Sequence, residues 1–256
     1  MRKLPPVFAG LGESAVLDWM TGVAPPPAAV TGEVAAQLER MIAALRADAA
    51  APGATFTATG RPTVVSGHRD YTRQERIWSR KFDFEVGVGR FGAITDEARA
   101  AFPALGAAVE WDTADDTHRT CWEGLSAEER GREIMRTSSG PGISRHHWGT
   151  DLDLWNTSAV HYADGGSLAN EYSWLTRHAA AFGFIQPFTA RSAAVAHAYT
   201  EERWHWSYRP VAEPMLEWVD AHRSTVDTRL RTLWGNSARY AFLRAHWAEF
   251  VFHVER

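Results

Sequence analysis

Ser144-Arg145-His146-His147-Trp148-Gly149-Thr150-Asp151-Leu152-Asp153 places two imidazoles and two carboxylates within ten residues, and Glu202-Arg203-Trp204-His205 adds another of each downstream. Neutral imidazole and carboxylate suit a zinc ion, and a catalytic zinc takes three protein ligands and leaves one position open. The expected ligands are His146, Asp153 and His205, two from a short local segment and one from a distant one. Glu202 is then the nearby carboxylate that is not a ligand. From Thr150 to Trp155 the residues alternate, so that Asp151 and Asp153 share one side of a half-buried strand and Leu152 and Leu154 the other. Glu202 and His205, three apart, would fall on opposite faces of a flat strand, so the segment must turn or bulge if both serve one metal.

Working outward, Ser66-Gly67-His68-Arg69-Asp70-Tyr71 with Gln74 lies upstream, and a helix from Trp174-Leu175 to Phe182-Gly183-Phe184 precedes the second motif. The pattern Ser-x-His-x-x-Gly-x-x-x-Asp, followed by Glu-x-Trp-His, resembles the zinc D-alanyl-D-alanine carboxypeptidase and dipeptidase family (peptidase family M15, the VanY and VanX type). The other two segments are similar to that family's Ser-Gly-Tyr-Arg-Ser-x-x-x-Gln stretch and to its helix before the last motif. The likeness covers roughly Ser66 to Tyr208, with Lys81 to Gly142 poorly matched. Asp151 departs from the pattern, standing where the family usually has a small apolar residue, and so adds a second carboxylate close to the metal.

The resemblance implies an α+β fold of the Hedgehog-like type, in which a small antiparallel sheet carries the ligands and helices flank it. It implies one Zn²⁺ per chain, Glu202 as the base that takes a proton from zinc-activated water, and Arg69 as a substrate residue that stabilises the scissile carbonyl or holds the peptide's carboxylate. Ser144, Gln74, Tyr71 and Ser66 are the substrate-binding residues it suggests. The implied substrate is a peptidoglycan stem peptide that loses a terminal D-amino acid, as in a DD- or LD-carboxypeptidase. The rivals are an endopeptidase or lysin of the same fold, a D-Ala-D-Ala dipeptidase, and a wall-binding module without chemistry. A structural zinc fits three ligands and a spare carboxylate poorly, because structural sites are closed with four.

With 256 residues and 45% hydrophobic content, the chain is long enough for one large domain or one domain with extensions. A net charge of -4 offers no basic excess for neutralising phosphates, so nucleic acid is not an expected partner. Twelve tryptophans are expected chiefly in the core and rim, with a peptide- or sugar-lining role as the alternative. Cys121 is alone and cannot form an internal disulfide. No run approaches the ~18 apolar residues of a membrane helix, and the oligomeric expectation is a monomer. Met1 to Pro6 has no sustained apolar region behind its basic pair. The expected location is the cell envelope or periplasm if a signal peptide has been removed, and the cytoplasm otherwise.

In domain terms, residues 1–30 read as an arm ending in the stiff Ala24-Pro25-Pro26-Pro27 linker, 31–209 as the peptidase domain with an insertion at 81–142, and 210–256 as a helical extension packed on it. Thr31 is the expected cap of a helix carrying Val34, Leu38, Met41, Ile42 and Leu45. Thr63 to Val65 reads as a short strand, Asp96 to Phe102 as a helix, and Asp112 to Thr120 as a polar loop. The 81–142 segment is a candidate lid or cleft wall. A helix is expected from Ser167, a strand from Phe184 to Phe188, a break at Pro210, and helices over 215–222 and 224–253.

Overall fold

The computed structural model of the chain describes residues 8–54, 56–58, 63–195 and 198–255; residues 1–7 of the expected arm lie outside them. The rest of that arm is not a bare linker. Glu13–Met20 forms a helix, α1, whose Val16, Trp19 and Met20, at spacings of three and four, are buried. The Trp19 indole donates to the Trp148 carbonyl at 3.1 Å. Pro26 is buried against Gly149, which has φ +72 and approaches so closely that an added Cβ would stand 2.8 Å from the proline ring. The N-terminal segment is thereby fastened to the loop that carries His146. Helix α2, Ala28–Ala50, starts directly after Pro27, and Thr31 lies inside its first turn with its hydroxyl on the Ala28 carbonyl instead of capping it.

Strand β1 (Val64–Ser66) leads into α3 (Tyr71–Phe82), capped by the Asp70 carboxylate on the Arg73 N–H at 2.7 Å. Gln74, Trp78 and Phe82, four apart, form its buried stripe. The insertion holds β2 (Arg90–Phe91), α4 (Asp96–Ala101), β3 (Trp111–Asp112), α5 (Asp116–Gly124) and α6 (Ala127–Met135), with β2 and β3 paired as an antiparallel ribbon. Thr95 caps α4, and Ser126 with Glu129 forms a capping box on α6. The expected polar loop at 112–120 is instead the end of β3 and the start of α5. Asp115 accepts from the Thr117 and His118 amides there, and Trp122 packs at 5.0 Å from Trp111.

The remaining elements are β4 (Asp151–Leu154), α7 (Ala169–His178), β5 (Phe184–Ile185), α8 (Ala190–Ala193), β6 (His205–Tyr208), α9 (Arg209–Ala221), α10 (Arg223–Trp234) and α11 (Ala241–Phe252). The main sheet has the order β1-β4-β6-β5 and every pair is antiparallel, giving an α+β fold with helices around a small sheet. β4 is buried along its whole length, not on one side only, because strands cover both its edges and both its faces are packed. β5 stops at Ile185, short of the expected Phe188. Pro210 does not break a helix but sits in the first turn of α9, where its missing N–H has no helical partner to lose. On the far side, the Trp234 indole of α10 donates to the Pro141 carbonyl at 2.9 Å, and Leu230 fills the space beside Gly142. The turn ahead of the His146 loop is thus held by the C-terminal helices.

Candidate metal centre and its cleft

His146 lies in a 3₁₀ turn, Arg145–Trp148, immediately before β4; Asp153 is in β4; His205 opens β6. The β4–β6 register pairs Asp153 with His205, which sets these two side by side. His146 Nε2 is 3.4 Å from Asp153 Oδ2, His205 Nδ1 is 3.1 Å from Asp153 Oδ1, and one ligand atom from each residue lies within 4.8 Å of the others. The opposite ring nitrogens are tied back. His146 Nδ1 meets the Gly67 carbonyl at 2.9 Å, and His205 Nε2 meets Asp151 Oδ1 at 2.8 Å. Both outer nitrogens therefore act as donors, and the inner nitrogens converge, which is how imidazole ligands are oriented for a metal.

Asp151 is not a member of the inward group. Its carboxylate accepts from Arg145 Nε at 2.8 Å, from Ser207 Oγ at 3.0 Å and from the Thr150 hydroxyl, in addition to His205. Between Glu202 and His205 the chain turns, with the His205 amide donating to the Glu202 carbonyl at 3.2 Å, so Glu202 Oε2 comes to 3.4 Å from His205 Nδ1.

The electrostatics call for a cation. Burial disfavours the charged carboxylate of Asp153, but His146 and His205 overcome it and hold the group well below the usual carboxylate range. The same opposition holds Asp151 low, through Arg145 and His205. Burial lowers His146, keeping it neutral. Burial works against charge on His205 as well, yet Asp151, Asp153 and Glu202 outweigh it and push that imidazole up. Glu202 is raised, chiefly by burial. Asp153 Oδ1 is buried without a hydrogen-bond donor. Two convergent imidazoles and an underused carboxylate oxygen, ringed by negative charge, fit a divalent metal of the zinc type.

The site opens on a cleft of about 400 Å³. Arg69 lines it, with Nη1 donating to Gln74 Oε1 at 2.8 Å and Nη2 3.4 Å from Asp153 Oδ2, while its buried Nε has no partner. Ser66 and Ser144 also line the cleft, and the buried Ser144 Oγ has no partner. Gln74 and Tyr71 do not line it. Gln74 is fully buried with its Nε2 on the Ser139 carbonyl at 2.6 Å, and the Tyr71 hydroxyl lies 3.5 Å from the Leu233 carbonyl. Gln74 therefore acts on the cleft through Arg69. His147 splices two loops, its Nδ1 on the Arg69 carbonyl and its Nε2 accepting from the Gly142 amide. Eleven of the twelve tryptophans are buried, and the twelfth, Trp204, lines the cleft. The insertion supplies a wall through Arg90, Phe91, Gly92, Glu110 and Thr137 to Ser139. Lys81, Arg145 and Tyr199 also reach the lining. None of these three stood out in sequence: a basic residue at a helix end or beside a motif has the same signature as a solvated one, and Tyr199 lies in a loop outside every motif.

A buried His-Asp-His cluster that could hold a metal ion, with a glutamate beside it, thus sits on a small antiparallel sheet. The chain belongs to the VanY family, D-alanyl-D-alanine carboxypeptidase, which matches residues 28–211. No curated protein matches it. Among solved structures, it is similar to a mutant VanY D,D-pentapeptidase from a VanB-type resistance cassette in complex with Zn(II), at 20% identity over 72% of this chain and 75% of that one, with a TM-score of 0.37. VanYB in complex with D-alanine-D-alanine is similar at 19% identity over 78% and 81%, TM-score 0.37. DacB from Streptococcus pneumoniae D39 is similar at 17% over 76% and 75%, TM-score 0.36. Among the described residues no helix is long and apolar enough to cross a membrane.

Proposed function

We propose that the protein is a zinc peptidase that removes a terminal D-alanine from peptidoglycan stem peptides, as a DD- or LD-carboxypeptidase. The observation that carries this reading is the orientation of the two rings: the outer nitrogens of His146 and His205 are taken up by Gly67 O and Asp151, so that their inner nitrogens face Asp153 with Glu202 beside them. One zinc per chain would be held by His146, Asp153 and His205. When bound, it supplies a Lewis acid that polarises the scissile carbonyl and makes water a usable nucleophile near neutral pH.

Glu202 is the proton carrier. Burial raises its pKa toward the working range of a general base, and it takes a proton from the attacking water and delivers it to the leaving amine. Water adds to the carbonyl carbon, the C–N bond breaks, and the products are a shortened peptide acid and a free amino acid. Arg69 presents a fixed positive charge and an unpartnered Nε–H beside Asp153, suited to the oxyanion of the tetrahedral intermediate. Ser144 Oγ and Ser66 offer hydroxyls to the peptide along the same wall.

The test is hydrolysis of defined stem peptides ending in D-Ala-D-Ala or in a single D-Ala, with the protein loaded with zinc or stripped by a chelator. Release of D-alanine by the loaded form alone is the expected result. Absence of cleavage of either peptide by a protein shown to contain zinc would overturn the proposal.

A further inference from the structure

Arg73, Ile77 and Lys81 recur every four residues along α3, and all three line the cleft. Arg73, near the start of the helix, is exposed and its charge is solvated. Lys81, in the last turn, is only partly exposed; its ammonium donates to the Ser138 hydroxyl and stands 5.6 Å from the centroid of the Phe91 ring. An ammonium has three donors. One is used here, on a neutral acceptor, and among the described residues no carboxylate is within ion-pair distance of Lys81. A cation withdrawn from water is poorly compensated by one hydroxyl and an aromatic face. Burial, aided by the like charge of Arg69 and opposed by Glu202, pushes its pKa down to about 8.

Apart from the solvated Arg73, the arginines of the cleft are already committed. Arg145 is paired with Asp151, Arg90 faces Asp112 at 3.4 Å, and Arg69 divides its two terminal nitrogens between Gln74 and Asp153. Gln74 has both ends of its amide engaged and no place in the lining. We propose that Lys81 receives the free α-carboxylate of the substrate's terminal residue, and so makes the cleft select the end of a peptide over its interior. This rests on the peptidase reading, which places the scissile carbonyl between the metal site and Glu202. Only one residue, a Cα step of about 3.8 Å, separates that bond from the terminal carboxylate. Lys81 lies in the same lining and within the electrostatic reach of Glu202. The Ser138 hydroxyl and the Tyr199–Ser139 pair, 2.8 Å apart, supply neutral hydrogen-bonding groups on the same wall.

The experiment compares a stem peptide ending in free D-Ala with its C-terminal carboxamide. Equilibrium binding and turnover of both are measured on zinc-loaded wild type, Lys81→Met and Lys81→Arg. Wild type should favour the free acid in binding by about 10- to 150-fold, the worth of one charge-assisted hydrogen bond. Lys81→Met should bind the acid as weakly as the amide, leave amide binding unchanged, and keep its zinc and circular dichroism; Lys81→Arg should retain part of the preference. A Lys81→Met protein that keeps the wild-type preference for the acid overturns the assignment. Binding also separates the carboxylate site from the peptidase reading on which it rests. A wild type that binds the acid through Lys81 but hydrolyses nothing contradicts the peptidase reading and leaves the carboxylate site standing.

Discussion

Asp151 Oδ1 and His205 Nε2 lie 2.8 Å apart, on the side of the imidazole ring away from Asp153. This contact fixes which nitrogen of His205 faces Asp153, and it divides two carboxylates of one strand into a proposed ligand and a proposed orienting group. Arg145, Ser207 and Thr150 occupy the rest of the Asp151 carboxylate, so it has no oxygen left over for the metal. Asp153→Ala is therefore expected to abolish stoichiometric zinc. Asp151→Asn should retain a site but weaken zinc affinity about 10- to 100-fold, the usual effect of losing an orienting partner. Competition against a chromogenic chelator measures both, and equal affinity in Asp151→Asn and wild type would remove the orienting role.

The N-terminal helix provides a second expectation, this one about stability. Trp19 is buried and its indole holds the carbonyl of Trp148, two residues after a proposed ligand. Trp19→Ala should cost about 3–5 kcal/mol, as large aromatic truncations in a core do. Denaturant unfolding tests this. A loss within ~0.5 kcal/mol, the range of surface substitutions, would mean that residues 13–26 are a dispensable arm after all.

The pH profile offers a third. Lys81, with its pKa held near 8 in the free protein by burial and Arg69 against the pull of Glu202, binds a carboxylate only when protonated. The free-acid kcat/KM should thus be highest below about 8 and decline as the pH rises through it, since kcat/KM reports ionisations of the free enzyme. Lys81→Arg, which stays charged throughout, should lack that limb. An alkaline limb that survives unchanged in Lys81→Arg would assign it to another group.

Much of the centre was legible in the sequence because metal chemistry restricts residue type as well as spacing. His146, Asp153 and His205 had to be side chains that donate lone pairs, and the alternation of Asp151 to Leu154 placed both aspartates on one side of a strand. What separates the two aspartates is Arg145 and Ser207, which meet Asp151 only when β4 and β6 pair. Gln74 carried the right motif position, yet packing turned its amide inward to Arg69 and Ser139. Lys81 looked like any cation in a helix's last turn, and only the insertion folding over α3 makes it part of a cleft. The proline run at 25–27 concealed the short helix before it, whose partner Trp148 lies more than a hundred residues away.

Glu202 carries the greatest weight in the proposed chemistry, since it must move protons without binding the metal. Glu202→Gln keeps the size and hydrogen bonding of the side chain and removes the proton acceptor. The measurement is zinc content and D-alanine release on the same preparation, with a stem peptide that wild type cleaves. Unchanged zinc together with turnover lowered by ~10²–10⁴-fold or more is the predicted result. Near-wild-type turnover with zinc in place would contradict it.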